Sequence, residues 1–199
     1  MNPDLIIIPS NNEPSAKMIK IACEKLYPDT ITVIVHDKER KGKGWAFKRA
    51  LAEIDYCDII VFLDGDFDIN PIEIAKLLPF VPTHDVVIGI KDPTKLKFPR
   101  NLVSLGYRLF VRVLFGLNVS DTQTGLKIWK RKTMPEFESD GFSYDIEMLA
   151  QAKEEGLSIK EVPITVNIDK KVRLITIWNT LKETIRVWLV LSFQNTMKI

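Results

Sequence analysis

The chain has 199 residues, 46% of them hydrophobic, 27% charged and 9% aromatic. That balance excludes a disordered chain and is enough to bury one core. A net charge of +2 asks for no nucleic-acid partner, and two cysteines without paired spacing, Cys23 and Cys57, argue against a disulfide scaffold or a cysteine zinc site. A reducing, cytoplasmic setting fits, and Met1-Asn2-Pro3-Asp4 runs into a strand-like segment with no signal peptide in view.

In chain order, Leu5–Ile8 reads as a buried strand and Ser15–Leu26 as a helix with Met18, Ile19, Ala22 and Leu26 at helical spacing. Ile31–Val35 is a β-branched strand, Gly44–Ile54 a helix, and Asp58–Leu63 a third strand. Pro71 suits the first turn of a helix running to about Leu78, and Asp85–Gly89 is a fourth strand. Leu102–Leu117 is apolar and carries Arg108 and Arg112. Gly125–Trp129 is a strand, Tyr144–Lys153 a helix, and Ser158–Val166 an extended piece broken by Pro163. In Leu174–Phe193 the charges Lys182, Glu183 and Arg186 interrupt the apolar run, and a membrane span needs about 20 mostly apolar residues. Trp178, Leu181, Ile185 and Trp188 recur at helical spacing, so the segment reads as amphipathic, packing on the core or resting on a membrane surface. The alternation predicts one α/β domain over 1–199, a mostly parallel sheet with helices on both faces. Ligands in such sheets bind beyond the carboxyl ends of the strands.

At one such end stands Asp64-Gly65-Asp66-Phe67-Asp68. Three carboxylates in five residues repel one another unless a cation or solvent intervenes, and Mg²⁺ or Mn²⁺ favours carboxylate, water and phosphate oxygens. Asp64, Asp66 and Asp68 are therefore candidate metal ligands, with Gly65 leaving space for a diphosphate. A solvated or helix-capping acidic loop is the plainer alternative. A second segment, Arg40-Lys41-Gly42-Lys43-Gly44, places cations and glycines at a helix start, which suits an anion, or else forms a solvated basic loop. It lacks the spacing of a Walker loop. Pro9-Ser10-Asn11-Asn12-Glu13 ends the first strand and offers polar groups to a sugar or base, or caps the next helix. His36 and His84 lack ligand spacing and read as surface residues. Trp129, Trp178 and Trp188 read as core or interface residues, whereas Trp45 lies beside the glycine loop.

In their order and spacing, these segments resemble glycosyltransferase family 2 of the inverting GT-A fold, and most of all its dolichol-phosphate mannose synthase branch. Residues 6–13 look like the family's opening strand and P-x-x-N-E turn. Lys41-Gly42-Lys43-Gly44 with Ala46 looks like K-G-x-x-x-A, and Val61–Asp66 looks like the metal motif, with Asp68 where the branch often has Gln. Asp121–Lys127 resembles D-x-x-S-G-F-[RK], Gly141-Phe142 with Asp145, Glu147 and Leu149 resembles G-F-x-x-x-x-E-L, and Glu161-Val162-Pro163-Ile164 is similar to E-V-P-[IF]. The resemblance covers about residues 5–190. It implies transfer of a sugar from a GDP- or UDP-sugar to an acceptor, a polyprenyl phosphate in this branch. The metal would assist departure of the nucleoside diphosphate. Catalysis is then expected of Asp66, Asp121 and Arg100. Donor binding is expected of Pro9, Asn11, Asn12, Glu13, Asp37, Lys41, Gly42, Lys43, Asp64, Gly65 and Asp66. Acceptor binding falls to Arg100, Lys171, Arg173 and Glu147. Amphipathic helices over about 99–117 and 174–193 would give peripheral contact with the cytoplasmic face of a membrane, or a homodimer. A lipid phosphate is already anionic and needs no general base, whereas a hydroxyl acceptor requires a carboxylate, Asp121 with Asp145 and Glu147 behind it. Family members carry an acidic second-strand segment, D-D-x-S-x-D-x-T, where this chain has only Ile31–Asp37; it looks one βα unit shorter. A sugar nucleotidyltransferase would carry glycines after the first strand, and Pro9–Glu13 has none. An inactive homologue acting as a binding module is the non-enzymatic alternative.

Overall fold

The computed structural model describes residues 1–11, 14–91, 100–167 and 174–197, with side chains placed for all of these except 100, 101, 174–176 and 194–197. Among the described residues, six strands form one sheet: β1 (Leu5–Ser10), β2 (Ile31–His36), β3 (Ile59–Leu63), β4 (Val86–Lys91), β5 (Leu126–Lys130) and β6 (Ile159–Ile164), in the order β2-β1-β3-β5-β4-β6. The helices are α1 (Pro14–Leu26), α2 (Lys43–Glu53), α3 (Ile74–Leu77), α4 (Arg100–Phe115), α5 (Tyr144–Glu154) and α6 (Leu174–Met197).

Alternation along each strand divides the core into two layers. Leu5, Ile7, Ile60, Phe62, Val86, Ile88 and Trp129 face the helices α2, α4, α5 and α6. Ile6, Ile8, Val61, Leu63, Val87 and Ile128 face α1, α3 and the turns around α3. Because both faces are covered, β1 is buried at every position and reads as an unbroken apolar run.

Neighbouring strands are parallel at β2–β1, β1–β3 and β4–β6. β5 runs antiparallel between β3 and β4, pairing Leu63 with Leu126 and Ile88 with Lys127. That reversal brings the start of β5 to the carboxyl ends of β3 and β4. β2 is an edge strand and passes through residues 37–42 into α2.

The helix after Pro71 runs without a break past Leu78, but only Ile74–Leu77 (α3) is α-helical: Pro71–Glu73 before it and Leu78–Thr83 after it are 3₁₀. Pro79 and Pro82 lack the N–H groups that an α-helix would use in the last stretch. In α6, the face bearing Trp178 and Ile185 points outward, 56% and 42% exposed, while Thr184, Val187 and Leu191 pack inward. The inward face of α6 joins α4 through Tyr107 Oη and Thr184 Oγ1, 3.0 Å apart. The outward face of α4 carries Leu102, Leu105, Leu109 and Val113. Among the described residues, no helix is long and apolar enough to cross a membrane.

Candidate active site

The site lies beyond the carboxyl ends of β3 and β4. Asp64 is the first residue after β3, and its N–H donates to the Gly125 carbonyl at 2.8 Å. A Cβ at Gly125 would stand 2.2 Å from the Asp64 carboxyl carbon, so only glycine lets the approach to β5 pass behind this side chain. Gly65 meets the same constraint from the other side, where a Cβ would lie 2.6 Å from the Pro9 carbonyl oxygen. Ser15 Oγ donates to the Gly65 carbonyl at 2.6 Å. Phe67 adopts a left-handed φ of 59°, and the Asp68 N–H donates to Asp66 Oδ1 at 3.3 Å. The acidic turn is thus folded tightly against the ends of β1 and β5.

Among the described residues, three lysines surround this turn. Lys43, the first residue of α2, places Nζ 2.6 Å from Asp64 Oδ2. Lys127 on β5 is buried, 2.6 Å from Asp145 Oδ1, and also donates to the Thr124 carbonyl at 2.6 Å. Lys91, ending β4, lies 3.6 Å from Asp121 Oδ2. Burial works against the Asp64 charge, but Lys43, followed by Lys127 and Lys91, outweighs it and holds the carboxyl below its ordinary range. Burial likewise opposes the Lys43 charge, and Asp64, with Asp145 and Asp66 beyond it, raises that lysine above its ordinary value. At Asp145 the balance falls the other way: burial raises the carboxyl despite Lys127 and Lys43. The motif Asp121–Lys127 contained Lys127 without marking it as a site residue, and Lys91 fell outside the motifs. For Lys127 the available signal was a lysine inside an otherwise apolar strand.

The basic loop has a different construction from the expected cradle. Asp37 is buried, and its carboxylate accepts the N–H groups of Lys41 at 2.9 Å and Gly42 at 2.6 Å. It folds the loop instead of presenting its carboxylate to a base. A Cβ on Gly42 would lie 2.2 Å from the Asp140 carbonyl oxygen, and one on Gly44 2.1 Å from that of Ser139. The Trp45 N–H donates to Asp140 O at 3.2 Å. These glycines let the 139–141 segment close over the first turn of α2. Lys48 pins the segment by pairing with Asp140 at 2.6 Å. Glu147 is buried and accepts the N–H groups of Glu138 and Ser139 at 2.8 and 2.9 Å, so it supports this segment. Lys41 Nζ sits 5.1 Å from the centroid of Trp45 and 2.8 Å from Glu39.

Among the described residues, no three His, Cys, Asp or Glu side chains stand together as a metal-holding group. The expected trio of Asp64, Asp66 and Asp68 is therefore not assembled. Phe67 turns left-handed between Asp66 and Asp68, and the Asp68 backbone carbonyl accepts the Asn167 N–H at 2.7 Å. Asp64 and Asp66 remain, a donor set suited to a hard cation completed by phosphate and water oxygens. Asp121 is mostly buried, and its Oδ1 accepts the Gln123 N–H at 3.2 Å in an Asx turn. Pro9 is buried and Asn11 exposed at the end of β1. Asn12, Glu13, Lys171, Arg173 and the Arg100 side chain lie outside the described residues.

The sequence pattern described as Glycosyl transferase family 2 matches residues 3–137. The chain is 28% identical over 145 residues to an undecaprenyl-phosphate mannosyltransferase of Micrococcus luteus, covering 66% of this chain and 59% of that one. It is 28% identical over 178 residues to a dolichyl-phosphate beta-glucosyltransferase of Dictyostelium discoideum, covering 80% and 53%. It spans a little over half the length of these curated relatives. In fold it is similar to glucosyl-3-phosphoglycerate synthase from Mycobacterium tuberculosis in complex with Mn²⁺, uridine diphosphate and phosphoglyceric acid, with a TM-score of 0.76 and 16% identity over 94% of this chain and 77% of that one. The same enzyme in complex with Mg²⁺ and uridine diphosphate gives a TM-score of 0.67 at 17% identity, covering 94% and 78%.

Proposed function

The chain belongs to glycosyl transferase family 2, and from that premise we propose that it is an inverting hexosyltransferase using a nucleotide-diphosphate sugar, with a polyprenyl phosphate as acceptor. The observation that carries this reading is the placing of Asp64 and Asp66 just past the end of β3, with Lys43 acting on both and Lys127 and Lys91 acting on Asp64. Carboxylates alone would repel a diphosphate, and lysines alone would need no metal; the mixture suits a metal–diphosphate pair. Mg²⁺ or Mn²⁺, held by Asp64 and Asp66 and completed by phosphate oxygens, would neutralise charge on the leaving diphosphate. The relatives named as undecaprenyl- and dolichyl-phosphate transferases support a lipid phosphate acceptor. So do the outward apolar faces of α4 and α6, which carry Leu105, Leu109, Trp178 and Phe193 beside the basic Arg112, Lys182 and Arg186.

The chain's own groups have distinct tasks in this reading. Lys43 and Lys91 attract the anionic donor. Asp121 faces Lys91 across 3.6 Å and accepts the proton if the acceptor is a hydroxyl. A lipid phosphate attacks as an anion, and Arg100, Lys171 and Arg173 are then the cations assigned to hold it. Isothermal titration of UDP and of GDP, each with and without Mn²⁺, tests the reading on the wild type and Asp66→Ala. Metal-dependent binding of one nucleotide, lost in the variant, is the expected result. Failure of the wild type to bind either nucleotide at millimolar concentration overturns the donor assignment and leaves a scaffold.

A further inference from the structure

Asp64 already has a cation. Lys43 Nζ stands 2.6 Å from its Oδ2, and the Asp64 side chain is only 16% exposed. The carboxylate cannot retreat, because the Gly125 backbone is packed against its rear face. Any second cation at Asp64 must therefore share the carboxylate with Lys43 or displace it. The other lysines are not substitutes: Lys127 is held by Asp145 and the Thr124 carbonyl, and Lys91 faces Asp121. Lys43 differs from them in its attachment. It sits at the start of α2 on a flexible stem, with its ammonium 5.5 Å from the ring centroid of the exposed Phe142. Its four-carbon stem can swing without backbone movement.

Resting on the donor reading above, we propose that Lys43 couples metal binding to donor binding by acting as the resident counter-ion of Asp64. Without donor, the ammonium neutralises Asp64 and holds metal affinity low, since displacing Lys43 forfeits its 2.6 Å contact with Asp64 and leaves it, among the described residues, the weaker attraction of Asp145 and of Asp66, which the metal itself would engage. A diphosphate supplies an alternative anion. Lys43 then moves to a phosphate oxygen, and Asp64 becomes available as a metal ligand. Linkage makes the effect reciprocal, so metal tightens donor binding by the same factor that donor tightens metal binding.

Mn²⁺ alone, with no nucleotide, is the primary probe. Free Mn²⁺ is followed by electron paramagnetic resonance against the wild type, Lys43→Gln and Lys43→Arg, with circular dichroism confirming the fold. Lys43→Gln is expected to bind Mn²⁺ at least about tenfold more tightly than the wild type, within the usual range of coupling between two sites, and Lys43→Arg to stay near the wild type. Equal or weaker Mn²⁺ binding by Lys43→Gln overturns the proposal. A second arm uses the wild type itself, with lysines carrying ¹³C-methyl labels and Mg²⁺ as titrant. The Lys43 resonance is expected to move as Mg²⁺ saturates the site; a stationary resonance overturns the proposal even if the glutamine variant does not fold. Neither arm contains nucleotide, so both stand apart from the donor test, in which a wild type that binds neither UDP nor GDP overturns the transferase reading.

Discussion

Replacing Lys127 with methionine tests whether the site is built on a buried charge network. Lys127 is 1% exposed and Asp145 6%, with their charged atoms 2.6 Å apart. The substitution keeps much of the apolar stem but leaves a carboxylate in the core without its nearest counter-ion, and the Thr124 carbonyl without its donor. Breaking a buried pair from one side costs about 3–5 kcal/mol. A domain of this size shifts by about 2–4 °C per kcal/mol, so the melting temperature should fall by about 6–20 °C. The loss has a definite pH dependence. Burial already raises the Asp145 carboxyl in the wild type, and removing Lys127 raises it further. A carboxyl raised in the folded state binds more protons there than when unfolded, so its cost to stability grows as pH rises from the unfolded value toward the folded one. The variant should therefore recover part of its deficit on acidification from pH 8 to pH 5. Lys127→Met combined with Asp145→Leu removes both charges and should recover most of the loss. Thermal melts and urea titrations followed by circular dichroism measure all of this. A single variant that loses under about 1 kcal/mol, the scale of a surface pair, or that loses the same amount at both pH values, would refute the argument.

Four further predictions rest on separate features. Gly125→Ala drives a Cβ to 2.2 Å from the Asp64 carboxyl carbon; it should cost about 1–3 kcal/mol and abolish metal-dependent nucleotide binding, and unchanged titrations would show that Asp64 can move. Glu147→Gln weakens two backbone contacts to residues 138 and 139; charged hydrogen bonds are worth about 1.5–3 kcal/mol each, so stability should drop and amide exchange in 138–141 should accelerate. Cys23 is buried with its thiol pushed up to about 12, and burial also raises Cys57; neither should react with iodoacetamide at pH 8 until denaturant is added, as mass spectrometry would reveal. Leu109→Glu with Phe193→Glu changes side chains that are 61% and 69% exposed; stability should hold within about 0.5 kcal/mol per site while co-sedimentation with anionic vesicles falls, and undiminished sedimentation would remove these faces from lipid contact.

Period and position made much of the molecule legible in sequence. The apolar run Leu5–Ile8 had to be covered on both sides, and β1 is buried throughout. Asp64 and Asp66 follow an apolar strand and so had to emerge at its carboxyl end, where α/β sheets place their ligands. Pairing across the fold was not legible. The residues Leu126–Lys130 are strand-like in either direction, and only tertiary pairing decides that β5 runs antiparallel and carries Lys127 to the acidic turn. Glycines 42 and 44 looked like a phosphate cradle because their freedom suits one, yet the 139–141 segment nearly a hundred residues away takes that space. Asp37 and Glu147 looked like ligand-binding acids because a sequence shows charge without showing which backbone amides meet it. The outward turn of Trp178 and Ile185 has the same origin: helical spacing defines a stripe, but a competing stripe of Thr184, Val187 and Leu191 packs closer against the core. Local chemistry determines which elements form and which residues stand at their ends; long-range packing decides which of those residues are consumed in holding the fold and which are left to meet a ligand.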